Sequence, residues 1–350
     1  MTKKITVALD AMGGDRAPEI VVEGAALARE RHLGVHYLFF GIESKIKPLL
    51  EKHKELSKVS EIVHTDDVIS ADVRPSAALR TGRKSSMWLA VESVRDELAG
   101  GVVSAGNTGA LMASSRYVLG MIPGIMRPAI ASFLPTPNGE CVMLDLGANA
   151  ESAVEHLVQF AIMGDAFART TLGLPEPKIG LLNIGTEETK GTESVRQAYA
   201  VLKKMSSNET DFPLNFHGFI EGNDIALGTT DIVVTDGFSG NVALKAIEGT
   251  SKLFSALLKQ TVQHSIWAKI GFLLAKPAFD KLKERVDPRR YNGAVFLGIN
   301  GSVVKSHGGT DAFGFSNAIG ITADMIHNGF IDRVRDEIER ISHLVFSKSV

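Results

Sequence analysis

The 350-residue chain has a single cysteine, Cys141, which excludes an internal disulfide and leaves no CxxC, zinc-ribbon or HExxH pattern. That usage fits a reducing compartment. A charge surplus is also missing: 38 Lys and Arg against 40 Asp and Glu give a formal net charge of −2, so bulk electrostatics argue against a nucleic-acid partner. Residues 1–15, MTKKITVALDAMGGD, reach Asp10 after five residues of strand-like alternation, too early for the apolar core of a signal peptide. No uncharged apolar run reaches the roughly 18–20 residues needed to span a bilayer. The expected location is the cytoplasm. GxGxxG, GxxxxGK[ST] and GxSxG are absent too, since residues 185–192 read GTEETKGT with the lysine ahead of the second glycine. A nicotinamide dehydrogenase, a P-loop nucleotidase and a nucleophile-elbow hydrolase therefore lack support.

What the chain does have is 34 glycines without a collagen period, gathered behind short β-branched runs. About nine runs end in Gly, Asn or Asp: they begin at Ile5, Val35, Ser60, Gly101, Cys141, Lys178, Phe216, Asp231 and Ala294. Consecutive apolar positions, as in VALD and LLNIG, suit strands buried on both faces. Helical periodicity lies between them, at Glu19 to Arg31, Ser85 to Leu98, Ala110 to Leu119, Ala153 to Thr171, Thr192 to Met205, Ala243 to Gln263 and Ala318 to Leu344. Strands alternating with helices predict an α/β fold with a mainly parallel sheet and helices on both faces. The least regular stretches are Glu61 to Lys84, Ser206 to Asn215 and Phe272 to Asn292. The first and third are expected to be movable surface features.

In such a sheet ligands bind at the carboxyl ends of strands, where helix N-termini favour anions and glycine allows close backbone approach. Ser104, Gly106, Asn107 and Thr108 lie in SAGNTG, read either as an anion cradle or as a tight turn capped by Asn107 or Thr108. Asp10, Gly13, Gly14 and Asp15 form DAMGGD, an acid–base or metal-binding pair of carboxylates or a helix cap. Asp145 and Asn149 lie in LDLGAN. Lys190 follows two acids in a glycine-flanked loop, a solvated ion-pair partner or a charge for an anion. Gly240 and Asn241 lie in DGFSGN, Asn241 being an N-cap or an oxyanion donor. His307 in VVKSHGG is the histidine set among strand-end glycines, and no histidine set has metal spacing. Cys141 sits inside an apolar strand as a core thiol. Residues 251–290 carry an apolar stripe with Trp267, Phe272 and Leu273 between lysines, an apolar helical hairpin for dimer or membrane contact.

Taken together these segments resemble the PlsX-type acyl carrier protein:phosphate acyltransferases of bacterial phospholipid synthesis. DAMGGDRAP, the SSM of Ser85 to Met87, SAGNTGALM, RPAI from Arg127, LDLGAN, HLVQFAIMG from His156, LLNIGTEETKG, DIVVTDGFSGNVALKAIEG and YNGAVFLGINGSVVKSHG from Tyr291 follow in order from Ile5 to about Ile326. The polar stretch Met205 to Asn215 is longer than the family pattern, and residues after about Asn328 carry no motif.

The resemblance implies a three-layer α/β sandwich over residues 1–345, in one domain or two lobes, similar to the isocitrate/isopropylmalate dehydrogenase and phosphotransacetylase fold. It implies a homodimer in which phosphate attacks the thioester of a long-chain acyl carrier protein, giving an acyl phosphate. That product would pass to a membrane glycerol-3-phosphate acyltransferase, with the protein held peripherally at the inner face of the membrane. Lys190 and Asn241 are placed at the site, with His307 as a further contact or proton donor to the leaving thiolate. No metal or cofactor is called for, because phosphate is itself the nucleophile. The competing expectations are a phosphotransacetylase using acetyl coenzyme A and a non-catalytic phosphate- or nucleotide-sensing regulator.

Overall fold

The computed structural model of the chain describes residues 5–206, 213–263 and 265–346, with side chains through residue 340. The first half lays down β1 (Ile5–Asp10), α1 (Glu19–Arg31), β2 (Val35–Gly41), α2 (Glu43–Leu50), α3 (Lys54–Ser57), β3 (Ser60–His64), α4 (Pro75–Thr81), α5 (Ser86–Arg95), β4 (Gly101–Ser104) and α6 (Thr108–Val118). The chain crosses over through β5 (Ala129–Thr136) and β6 (Gly139–Leu144). It then builds α7 (Val154–Thr171), β7 (Ile179–Leu182), α8 (Glu193–Met205), β8 (Phe216–Ile220), α9 (Gly222–Leu227), β9 (Ile232–Val234), α10 (Gly237–Gln263) and α11 (Ile266–Arg285). It returns to the centre in β10 (Ala294–Leu297), β11 (Ser302–Lys305), α12 (Ala312–His327) and α13 (Phe330–Phe346).

The described strands form one sheet of eleven in the order β3-β2-β1-β4-β11-β10-β5-β6-β9-β7-β8. Pairing is parallel within β3-β2-β1-β4-β11 and within β6-β9-β7-β8, and antiparallel through the centre. Alternation explains the layers. Val7, Leu9 and Val103 enter the core under α1, α7, α12 and α13, whereas Ala8 and Val102 enter a second core with α5 and α6 on the opposite face. A third cluster joins Cys141, Met143 and Val233 to Ile225 of α9. Strands buried on both faces read as unbroken apolar runs for this reason, and burial holds the Cys141 thiol up near about 12.

Four expectations need correction. The β5 segment was not counted among the strands; its AIASFLPT alternates buried and half-buried positions along most of its length, a weaker signal than a continuous run. The run from Ala294 is two antiparallel strands, β10 and β11. The helix from Ala318 to Leu344 is two, α12 and α13, broken at Asn328 and Gly329, whose φ of 63° ends the first. Phe272 to Asn292 is not irregular: α11 runs to Arg285 with Pro277 inside it, because one lost backbone hydrogen bond does not outweigh the good helix formers around it. The stretch Ser206 to Asn215 lies largely outside the described residues, as does His264.

The α7–α13 contact holds two buried acids. Asp165 is fully buried and accepts from Arg169 Nε at 2.6 Å, while Asp165 Oδ1 and Glu337 Oε2 have no hydrogen-bond partner. Burial and the nearby Asp165 push the Glu337 carboxyl up to about 7, against the pull of Arg169, Arg333 and Arg340. A carboxyl whose folded pKa lies above its unfolded value of about 4.5 stabilises the fold below that value, and the contribution is lost as pH rises through 7. Glu337→Gln, which keeps the uncharged shape, is expected to raise stability at pH 8 by at most about 3 kcal/mol and to gain far less at pH 5. Urea midpoints at the two pH values check this, and equal shifts at both would refute it.

Candidate active site

The order of the sheet decides where the strand ends point. β6, β9, β7 and β8 run opposite to β1, β4 and β11, so their carboxyl ends begin on opposing edges. The right-handed twist of the sheet, about 20–25° per strand, turns the two sets of strands relative to each other across the centre. Two clusters of predicted residues therefore flank the antiparallel centre.

The first cluster sits on β1, β4 and β11. Asp10 ends β1 fully buried and accepts from Ser86 Oγ at 2.6 Å, Ser104 Oγ at 2.6 Å and Met12 N at 3.3 Å. Burial raises its pKa, and the two serine hydroxyls oppose that rise. Lys305, in register with Ser104 across the β11–β4 pair, is 8% exposed and donates to Ala105 O at 3.3 Å and to Ser306 O. Burial lowers it to about 8, against the attraction of Asp10 and Asp15. Sequence reasoning missed Lys305 because one lysine after an apolar run reads as a solvated strand end. Gly13 fits because a Cβ there would lie 2.5 Å from Asp10 Oδ2. Gly14 and Asp15 lead away, with Asp15 N bonded to Gly308 O at 3.0 Å. Asp15 is not the cap of α1: that position is Pro18, with no side-chain bond.

At the α6 entrance the structural reading of Asn107 holds. Its Oδ1 accepts from Ala110 N at 2.8 Å and its Nδ2 donates to the Ala71 and Val73 carbonyls, so its side chain has no N–H left for an anion. Gly106 N is likewise held by Ser104 Oγ at 3.0 Å. Thr108 and Gly109, the first two residues of α6, have no helical acceptor for their N–H groups. His307 is exposed, its N bonded to Asn292 Oδ1 at 2.9 Å and its Nδ1 accepting from Gly309 N at 3.1 Å. The neutral ring therefore carries its proton on Nε2.

The second cluster sits on β6, β9 and β7. Asp145 is fully buried, and its carboxylate accepts from the backbone N–H of Ile130, Gly147, Ala148 and Asn149 and from Asn149 Nδ2. Asn149 Nδ2 also donates to Pro128 O at 2.7 Å, which spends that side chain. Asn241 is not an N-cap; Asp236 fills that role by accepting from Ser239 N at 2.8 Å. Asn241 stands one turn into α10, exposed, with one Nδ2–H on Leu146 O at 3.1 Å. Lys190 is exposed in a loop that Asn183 closes by donating to Lys190 O at 3.2 Å. Glu188 pairs instead with Lys203 at 2.7 Å, and the Lys190 ammonium makes no ion pair with a described carboxylate.

Beyond the second cluster lie the consecutive helices α10 and α11, which touch each other. No side chain of α11 is buried, and in α10 only Gly237 and Gly240 are. Trp267 is 78% and Leu273 68% exposed, whereas Phe272 stacks on Phe279 within α11 at 4.7 Å. Among the described residues no helix is long and apolar enough to cross a membrane.

A family model described as "Fatty acid synthesis protein" matches residues 5–333. A phosphate acyltransferase of Rhodospirillum centenum is 58% identical over 341 residues, covering 97% of this chain and 95% of its own. One of Paramagnetospirillum magneticum is 54% identical over 349 residues, covering 100% and 98%. Among solved structures, a phosphotransacetylase from Streptococcus pyogenes superposes with a TM-score of 0.63 at 18% identity, over 93% of this chain and 95% of its own. A branched-chain phosphotransacylase from Enterococcus faecalis gives 0.58 at 16%, over 93% and 99%. At those identities the superpositions bear on the fold, and the phosphotransacetylase-like sandwich expected from sequence is the one found.

The approach of α10 to the β6 end gives a local test. A Cβ on Gly240 would lie 1.9 Å from Asp145 O, while one on Gly249 of the same helix meets nothing within 4 Å. Gly249→Ala should raise stability by up to about 1 kcal/mol through helix propensity. Gly240→Ala should lower it by about 2 kcal/mol or more through the enforced shift. Thermal unfolding of both variants checks the contrast, and similar melting temperatures would contradict it.

Proposed function

The chain belongs to the phosphate acyltransferase family, a family of acyltransferase enzymes, and from that premise we propose that it transfers a long-chain acyl group from an acyl carrier protein thioester to inorganic phosphate. The acyl phosphate then serves phospholipid synthesis through a membrane glycerol-3-phosphate acyltransferase. The observation that carries the reading is which donors the fold leaves unspent. The Asn107 and Asn149 side chains and Gly106 N are consumed internally. The Thr108 and Gly109 N–H groups, the Lys190 ammonium, the second Nδ2–H of Asn241 and His307 Nε2–H are free to meet a ligand.

These donors match the reaction in order. The first turn of α6 and Lys190 hold the phosphate dianion and offset its charge. A phosphate oxygen attacks the thioester carbonyl and forms the new C–O bond, and Asn241 donates to the oxyanion that develops. The C–S bond then breaks and the sulfur leaves as the thiolate, which accepts a hydrogen bond from His307 Nε2–H and takes its proton from water. Ser104, Asp10, Gly13, Gly14 and Asp15 shape the loops around the phosphate, and Gly240 lets α10 stand close enough to present Asn241. No residue need form a covalent intermediate.

The apolar face of α10 and α11 supports a homodimer with peripheral attachment to the inner face of the membrane. Leu253, Phe254, Leu257, Ile266, Trp267 and Leu273 are each more than half exposed, and apolar side chains gathered on consecutive helices suit an interaction surface. Residues 251–290 then act as an attachment on one α/β acyltransferase domain.

Palmitoyl-carrier-protein thioester should disappear only when phosphate is present, and Lys190→Ala and Asn241→Ala should each slow turnover at least about 10²-fold with the fold intact. Turnover confined to acetyl coenzyme A would replace the reading with a phosphotransacetylase, and none with any thioester would leave a phosphate sensor. Vesicle flotation of wild type against Trp267→Glu and Leu273→Glu tests attachment. Wild type should float and both variants stay in solution; equal behaviour would remove the membrane claim.

A further inference from the structure

No Asp or Glu occurs between Asp72 and Glu92 or between Glu97 and Glu140, and the fold lays these acid-free stretches side by side. α4 and α6 start together at the first cluster, where Pro75 Cγ lies 2.7 Å from the position of a Cβ on Gly109. Arg80 of α4, Arg116 of α6, and Arg74, Arg83 and Lys84 on the segments just before and after α4 are all exposed. None of the five pairs with a described carboxylate, in contrast to Arg95, Arg289, Arg290 and Arg335, which do. Arg83 is held in place between Trp88 and Tyr117, 5.8 and 5.2 Å from their ring centroids, and donates to Tyr117 Oη at 3.1 Å. Tyr117 is 59% exposed, an amphipathic ring of the kind enriched at protein interfaces. Asp66, Asp67 and Asp72 lie on the segment before α4 and not on the helices themselves.

We propose that this α4–α6 face is the docking surface for an acidic partner protein, the carrier of the thioester, which therefore rests on the reading above. A chain with net charge −2 repels an acidic protein weakly as a whole, so attraction must come from a local field, and five cations unopposed by carboxylates supply one. The position suits delivery. Arg116 lies eight residues along α6 from Thr108, about 12 Å at 1.5 Å per residue, so a partner seated there holds its thioester arm along the α4–α6 groove toward the free N–H groups of α6. An anionic membrane is the less favoured occupant, because the exposed apolar side chains gather most densely on α10 and α11 in the other half of the sheet.

The test compares wild type with Arg80→Glu/Lys84→Glu and with Arg83→Glu. For palmitoyl-carrier protein, KM should rise at least about 10-fold with kcat within about 2-fold, and the wild-type KM should climb steeply with salt. For palmitoyl-pantetheine, which lacks the protein, both constants should be unchanged, and melting temperatures should match. Unchanged KM for the carrier protein in both variants overturns the docking surface while leaving the acyl transfer in place. Loss of binding to vesicles containing phosphatidylglycerol, with carrier-protein KM unchanged, assigns the face to the membrane and also overturns the proposal. Wild-type enzyme inert on palmitoyl-carrier protein but active on acetyl coenzyme A would remove the underlying reading itself.

Discussion

Burying the Asp10 carboxylate at the end of β1 is the constraint around which the first half of the molecule is arranged. An isolated buried charge costs several kcal/mol, so the site supplies Ser86 from the start of α5, Ser104 from the end of β4 and Met12 N from its own loop. Lys305 brings an ammonium from β11, spent on two carbonyls and within electrostatic reach of Asp10. Four separate pieces of chain are thereby tied to one point. A small residue is obligatory beside it, which places Gly13 where a Cβ would strike the carboxylate. The loops that lead to α6 and to His307 inherit their positions from this knot, since Ser104 Oγ also holds Gly106 N and Ser306 N bonds to Ser104 O.

The second half solves the same problem with backbone alone. Asp145 is as deeply buried as Asp10 but is met by four main-chain N–H groups and the Asn149 amide, with no cation in its bond list. The difference has a consequence for chemistry. A carboxylate satisfied by fixed N–H groups is a structural staple. The Asp10 knot contains a lysine lowered to about 8 and so couples the first cluster to pH in the range where a leaving thiolate takes up a proton.

Much of this was legible in the sequence, for identifiable reasons. The fully buried strands β4 and β9 announce themselves as unbroken apolar runs, and helices α1 and α7 as near-complete periodic segments. β5 escaped because it mostly alternates, carries Pro135 near its end and begins inside RPAI, which reads as a motif and not as a strand. From Phe272 onward α11 also read as irregular, because Pro277 and the charged KLKER tail resemble a loop. At the site, residue types and places were readable, but the bonding state was not. Asn107 and Asn149 look identical to Asn241 in sequence, each near a glycine after a strand; only the fold shows Asn107 spent on two carbonyls, Asn149 on a carbonyl and the Asp145 carboxylate, and the third holding an N–H in reserve. Lys305 was hidden in plain view, since nothing in VVKSHGG distinguishes a buried ammonium from a solvated one.

That distinction between spent and unspent donors also explains the glycine content. A protein that must seat a small anion against main-chain N–H groups cannot surround it with side chains, yet it must keep those loops from collapsing onto their own donors. The fold divides the tasks: aspartate, serine and asparagine side chains at the strand ends consume the N–H groups that set loop shape, and glycines let those side chains approach. The N–H groups left over at the first turn of α6 are then held open by neighbours already satisfied. An additional acid at this end of the sheet would compete for them directly, and the chain between Glu97 and Glu140 contains none. The same acid-free stretch continues along α6 into the cationic face, so a single compositional feature underlies both the proposed anion site and the proposed docking surface.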